Sequence, residues 1–116
     1  MTATLEPASD DLISLSVATS DASARVSTTG EIDSSTAPKL HAELDALLDA
    51  GVHTLTVDLC GVTFLDSAGL CALAAVHRRA TAEGVQLRIL VAHRAVIRPL
   101  EITGLWELLG VERVAP

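Results

Sequence analysis

The residues best placed for chemistry are Asp66-Ser67-Ala68-Gly69-Leu70, where an apolar, strand-like run gives way to an apolar run of helical spacing. The first backbone N–H groups of a helix lack internal partners, and the helix dipole is positive there. A serine hydroxyl at such a place has two uses. It caps the helix, or it receives a phosphate whose charge the helix end favours. Asp66 has a matching pair of roles, as an Asx-type cap or as a group that positions the serine for a modifying enzyme. Nucleophilic catalysis is poorly supported, because no histidine or lysine base is placed beside the serine. His41, His53, His77 and His93 are scattered and show no ligand spacing with Cys60 or Cys71, so neither a metal nor a cofactor is expected.

Elements of regular structure must carry that serine. From Leu12 the chain alternates, with Ile13, Leu15 and Val17 on one side and Ser14 and Ser16 on the other. Ser20-Asp21-Ala22-Ser23 reads as a turn, and Arg25-Val26-Ser27-Thr28 resumes the alternation, which makes an antiparallel hairpin. Gly30-Glu31-Ile32-Asp33-Ser34-Ser35 then breaks the strand, with Asp33, Ser34 or Ser35 available as cap and Pro38 suited to a first helical turn. Ala37, Leu40, Leu44, Leu47 and Leu48 form the apolar stripe of a helix that ends at Gly51.

Thr54 to Leu59 alternates as a third strand, and Gly61 is read as a turn before the serine motif. Leu70, Leu73, Ala74 and His77 mark a second helix, with Arg78-Arg79 near its end and Gly84 as its stop. Gln86 to Val91 is a fourth strand, Ala95 to Thr103 a third helix capped by Gly104, and Val111 to Val114 a short strand or extended tail. Alternating strands argue for a sheet with one face covered by helices and the other exposed. The expected fold is α/β, a mixed four- to five-stranded sheet with an N-terminal β-hairpin and helices packed mainly on one face. Residues 1–11 are expected to be a loose tail, and 12–116 one domain.

Composition narrows the function. With 116 residues, 49% hydrophobic and 20% charged, the chain can bury a single sizeable core. Phe64 and Trp106 are its only aromatic residues, so that core must be aliphatic. A net charge of −7 disfavours nucleic acid and anionic membrane surfaces. Cys60 and Cys71 read as buried small hydrophobes in a reducing compartment. With no apolar run of membrane-spanning length and no basic leader at Met1, a cytoplasmic protein is expected.

Three motifs stand in order: Gly30-Glu31-Ile32-Asp33, Asp66-Ser67-Ala68-Gly69-Leu70 and Thr103-Gly104-Leu105-Trp106. Together they resemble the STAS domain of bacterial anti-sigma factor antagonists, over about Leu12 to Val114. The resemblance implies a partner-switching protein that is not itself an enzyme. Unmodified, it would bind an anti-sigma factor that is also a serine kinase, releasing the sigma factor. Phosphorylation at Ser67 would break that complex, and a PPM-type serine phosphatase would reset it. The resemblance further implies a docking surface of Asp33, Asp66, Ser67, Ala68, Gly69 and Leu70, with Asp33 near Ser67. Ala68 departs from the common pattern, which carries a second hydroxyl there. Two other readings use the same fold: an unswitched scaffold or sensor in which Ser67 only caps, and a binder of small anions at the same helix end.

Overall fold

The first alternating run forms β1 (Ile13–Ser20), which returns through Asp21-Ala22 into β2 (Ser23–Ile32). Ser20 pairs with Ser23, and Asp21 takes φ +53° in the intervening two-residue loop. Aspartate is one of the few side chains that enter the left-handed region readily, because its short polar group bonds locally. The computed structural model describes residues 13–115, so the tail expected over 1–11 lies outside the described residues.

After the hairpin come α1 (Ala37–Asp49), β3 (Thr54–Leu65), α2 (Ser67–Ala82), β4 (Gln86–Val91), α3 (Arg94–Ile102), the one-turn α4 (Leu105–Leu108) and β5 (Glu112–Arg113). The sheet order is β1-β2-β3-β4-β5, antiparallel at β1-β2 and parallel elsewhere. Each crossover steps to the next strand in the same direction, and right-handed connections of that kind stack their helices on one face. Burial follows suit. The register row Val26-Val57-Ile89 is fully buried, whereas in the next row, on the opposite face, Arg25 and Arg88 reach solvent. That outer face is laced by Arg25–Asp58 at 2.6 Å and Arg88–Glu112 at 2.8 Å. The core is aliphatic as expected, with Ile32, Leu40, Leu44, Leu55, Leu59, Leu73, Ile89 and Leu100 fully buried.

The largest departure from the sequence reading is in β3, which does not stop at Leu59 or turn at Gly61. It runs on to Leu65. Pairing moves from Ser27–Asp58 to Thr29–Gly61, and from Gly30–Val62 to Glu31–Phe64, so β3 carries one extra residue at each step. Two bulges of this kind re-aim the side chains. Leu59, Val62 and Leu65 consequently all face the core, at a spacing of three that simple alternation does not anticipate. Gly61 serves close approach: a Cβ there would lie 2.5 Å from Thr29 Cγ2.

Other boundaries shift less. The third helix spans Arg94–Ile102, with Gly104 at φ +79° just past its end, and α4 is a single turn too short to leave a periodic signal in the sequence. Residues 111–114 include the short strand β5. Neither cysteine is fully buried: Cys60 is half-buried within β3 and Cys71 is exposed on α2.

Thr28 lies beside the first bulge, 1% exposed, and its hydroxyl has no hydrogen-bond partner. A buried polar group without a partner costs about 1–3 kcal/mol. Thr28→Val keeps the shape and removes that group, so it should raise stability by about 1 kcal/mol in a urea melt.

Candidate functional site

Ile32 and Leu65 are register partners at the C-terminal ends of parallel strands β2 and β3, and the residues that follow them are Asp33 and Asp66. The Asp66 N–H donates to the Ile32 carbonyl at 3.1 Å, which ties the two loop starts together. Motifs far apart in the chain therefore meet at one rim of the sheet, where open parallel sheets commonly place their sites.

Asp33 organises the entrance to α1. Its Oδ1 accepts from the Ser35 N–H at 2.9 Å, the Ser35 hydroxyl at 2.8 Å and the Thr36 N–H at 3.1 Å. Thr36, rather than Asp33, Ser34 or Ser35, occupies the N-cap position, and Pro38 sits in the first helical turn. The buried Thr36 hydroxyl donates to the Glu31 carbonyl at 2.8 Å and accepts from the Asp33 N–H at 2.9 Å. Thr36 is the residue that sequence reasoning missed here, because a better-known capping aspartate stands three residues before it.

At α2 the cap is Asp66 and not Ser67. The Asp66 Oδ1 accepts from the Ala68 N–H at 2.9 Å and the Gly69 N–H at 3.3 Å, and its carbonyl accepts from the Leu70 N–H at 3.0 Å. Ser67 is instead the first helical residue, exposed, and among the described residues its hydroxyl makes no hydrogen bond. The donors that were to receive either the serine oxygen or a phosphate are thus taken by a neighbouring carboxylate. Gly69 is buried where α2 meets the ends of β2 and β3. Leu70 is half-buried against the core, as is Ala68, so neither is a freely exposed apolar contact.

Two further surface features lie at or near this rim of the sheet. Between α1 and α2 runs an open groove of about 540 Å³, lined on one side by Ser34, Ala37 and His41 and on the other by Ala68, Cys71 and Ala75. Phe64, just before the cap, is 45% exposed. This is not legible in the chain, since an aromatic residue in an apolar run reads as core; the bulges in β3 turn it outward.

Two carboxylates near the strands titrate low. The Ser35 hydroxyl and N–H hold Asp33 below its ordinary value of 3.8. For Asp58 burial opposes ionisation, but the Cys60 N–H and thiol together with Arg25 outweigh it, so its pKa also lies below 3.8. Burial, with the Asp58 carboxylate beside it, pushes the Cys60 thiol up to about 11. A carboxyl depressed on folding stabilises the fold above its unfolded pKa, and that stability is lost as pH falls through the folded value. Stability should therefore decline as pH is taken below about 4, and carbonyl-detected NMR titration should give Asp33 and Asp58 midpoints below 3.8.

Comparison with known proteins accords with this arrangement. The family model described as "Mlab, STAS domain" matches residues 15–110. An anti-sigma-B factor antagonist of Staphylococcus epidermidis is 32% identical over 82 residues, 71% of this chain and 76% of the relative. The chain belongs to the STAS family of anti-sigma factor antagonists. A crystal structure of an anti-sigma factor antagonist from Mycobacterium paratuberculosis superposes with a TM-score of 0.78 at 33% identity, covering 85% of this chain and 84% of that one. The anti-sigma factor antagonist SpoIIAA, in its unphosphorylated form, superposes with a TM-score of 0.75 over 88% of this chain and 89% of its own. At 15% identity, that likeness is one of fold. Among the described residues no helix is long and apolar enough to cross a membrane.

Proposed function

We propose that this STAS domain is an anti-sigma factor antagonist, binding an anti-sigma factor serine kinase while Ser67 is unmodified and releasing it once Ser67 is phosphorylated. The observation that carries this reading is the state of Ser67: an exposed hydroxyl on the first helical residue, beside a cap that works without it. A hydroxyl that caps nothing can be modified without unwinding the helix. A phosphate on it would add about −1.5 to −2 charges next to Asp66. With Ala68 N–H and Gly69 N–H already bonded to Asp66, the new charge finds few local donors and stays directed at whatever docks there. Release then follows from repulsion and desolvation at the partner's surface and not from refolding of the domain.

Partner contacts on this reading centre on Ser67, with Asp33 and Asp66 as the flanking acids and the groove lined by Ala68 beside them. Gly69 and Leu70 act from beneath, by holding the start of α2 against the sheet. A PPM-type serine phosphatase would restore the binding form. The occupied helix donors count against the alternative of an anion bound at this helix end, and the redundancy of Ser67 as a cap counts against a scaffold that retains the serine only for capping.

The test is intact mass after incubation with a candidate anti-sigma kinase and MgATP, beside Ser67→Ala. One added phosphate on the native chain and none on the variant is the expected result. Tight binding to the kinase with no phosphate on either chain would overturn the switch and leave an unswitched binding module.

A further inference from the structure

We propose that Arg94, Arg98 and Arg113 form a second site, distinct from Ser67, that binds the phosphate group of a small molecule. The chain has 15 acidic residues against 8 Lys and Arg, so carboxylate partners are plentiful. Arg25 and Arg88 each take one on the sheet, and Arg79 takes Asp45, Asp49 and Glu83. Arg94, Arg98 and Arg113 depart from this pattern, as does Arg78 on α2, but only these three come together. Among the described residues none of the three makes an ion pair or a side-chain hydrogen bond, yet all three line one concavity with Ile97 and Glu101.

The convergence is made by the fold. Arg94 and Arg98 are one turn apart on α3 and share a face, an arrangement of like charges that weakens an isolated helix. Arg113 comes from β5, which pairs with β4 through Val91–Arg113 and so brings a third guanidinium to the same place. Bringing three cations together with only the Glu101 carboxylate among them is unfavourable, and a bound anion relieves it.

Chemistry and size select the ligand. Three guanidinium groups less the Glu101 carboxylate leave a formal +2, which matches a phosphate near neutral pH. Guanidinium forks also bind phosphate oxygens in pairs, and three of them can cover a tetrahedral anion from several sides. The concavity measures about 180 Å³, below the roughly 300 Å³ at which pockets begin to enclose whole drug-sized ligands. It therefore suits a phosphate or diphosphate group with the remainder of the molecule outside. Buried Ile97 supplies an apolar side to the wall.

Isothermal titration with potassium pyrophosphate at low ionic strength, followed by inorganic phosphate, tests the site without reference to Ser67 or any protein partner. Saturable 1:1 binding is expected, weaker for inorganic phosphate. Arg98→Gln and Arg113→Gln should each weaken it by about tenfold or more, as loss of a charged hydrogen bond implies. Arg78→Gln, on α2 outside the concavity, should leave it unchanged. The same titration followed by ¹⁵N NMR should move the amide signals of residues 94–98 and 113. No saturable binding by the native chain would overturn the proposal. So would binding that survives both pocket substitutions in variants shown by circular dichroism to be folded, or binding lost equally in Arg78→Gln.

Discussion

Ser67→Asp should weaken binding to a cognate anti-sigma factor by about thirtyfold or more, while Ser67→Ala should bind within about threefold of the native chain. The first figure corresponds to about 2 kcal/mol, the low end of what an unmatched charge costs in a docked interface. The second follows from the hydroxyl's isolation: with no hydrogen bond among the described residues, its removal takes nothing from the helix. Neither variant should unfold the domain. An acid in the first turn of a helix gains about 0.3–1 kcal/mol from the dipole, which offsets repulsion from Asp66. Thermal melts of the three chains should lie close together while their titrations against the anti-sigma factor diverge. Equal affinity for Ser67→Asp and the native chain would remove charge at this position from the mechanism. A large fall in melting temperature for Ser67→Ala would show instead that the serine stabilises α2.

Much of this site was legible in the chain because its parts obey local rules. The hairpin alternates and turns at Asp21-Ala22, and Asp66 is an aspartate directly before a helix, the Asx cap named as one of its two roles. Reading Ser67 as the cap misses by one residue: two good capping residues stand side by side, and the bond from Asp66 N–H to Ile32, with the cap bonds to the Asp66 side chain, places Asp66 outside the helix. The end of β3 was illegible for a different reason. Bulges opposite Thr28 and between Gly30 and Glu31 are properties of a strand pair, and neither strand alone records them. Read singly, Leu59, Val62 and Leu65 suggest a strand that stops at a glycine. The exposed side chain of Phe64 was hidden with them. The arginine concavity is a tertiary fact of the same kind, since Arg113 meets Arg98 only through the β4-β5 pairing.

Gly69→Ala should destabilise the domain by about 1–3 kcal/mol, although alanine is the better helix former. A Cβ at this position would collide with Leu65 Cδ1 and lie 2.8 Å from Ile32 Cγ2. Both neighbours are themselves buried, at 3% and 0% exposure, so neither side chain can swing into solvent. Relief must come from lifting the first turn of α2 off the strand ends. That movement would strain the bond from Asp66 N–H to the Ile32 carbonyl and the cap bonds from Ala68 and Gly69, which hold the serine in place. Alanine's propensity advantage of about 0.8–1 kcal/mol only offsets part of the clash. For a domain of this length the net loss should lower the melting temperature by roughly 4–12 °C. Because the strain falls directly beneath Ser67, Gly69→Ala should also weaken anti-sigma factor binding in conditions where the variant is still folded. Ala46→Gly serves as the control: it is exposed in the interior of α1 and outside that groove, and it should cost stability of similar order through helix propensity while leaving the presentation of Ser67 intact. Equal binding losses in the two variants would mean that stability alone, and not the seating of the first turn, governs the interaction.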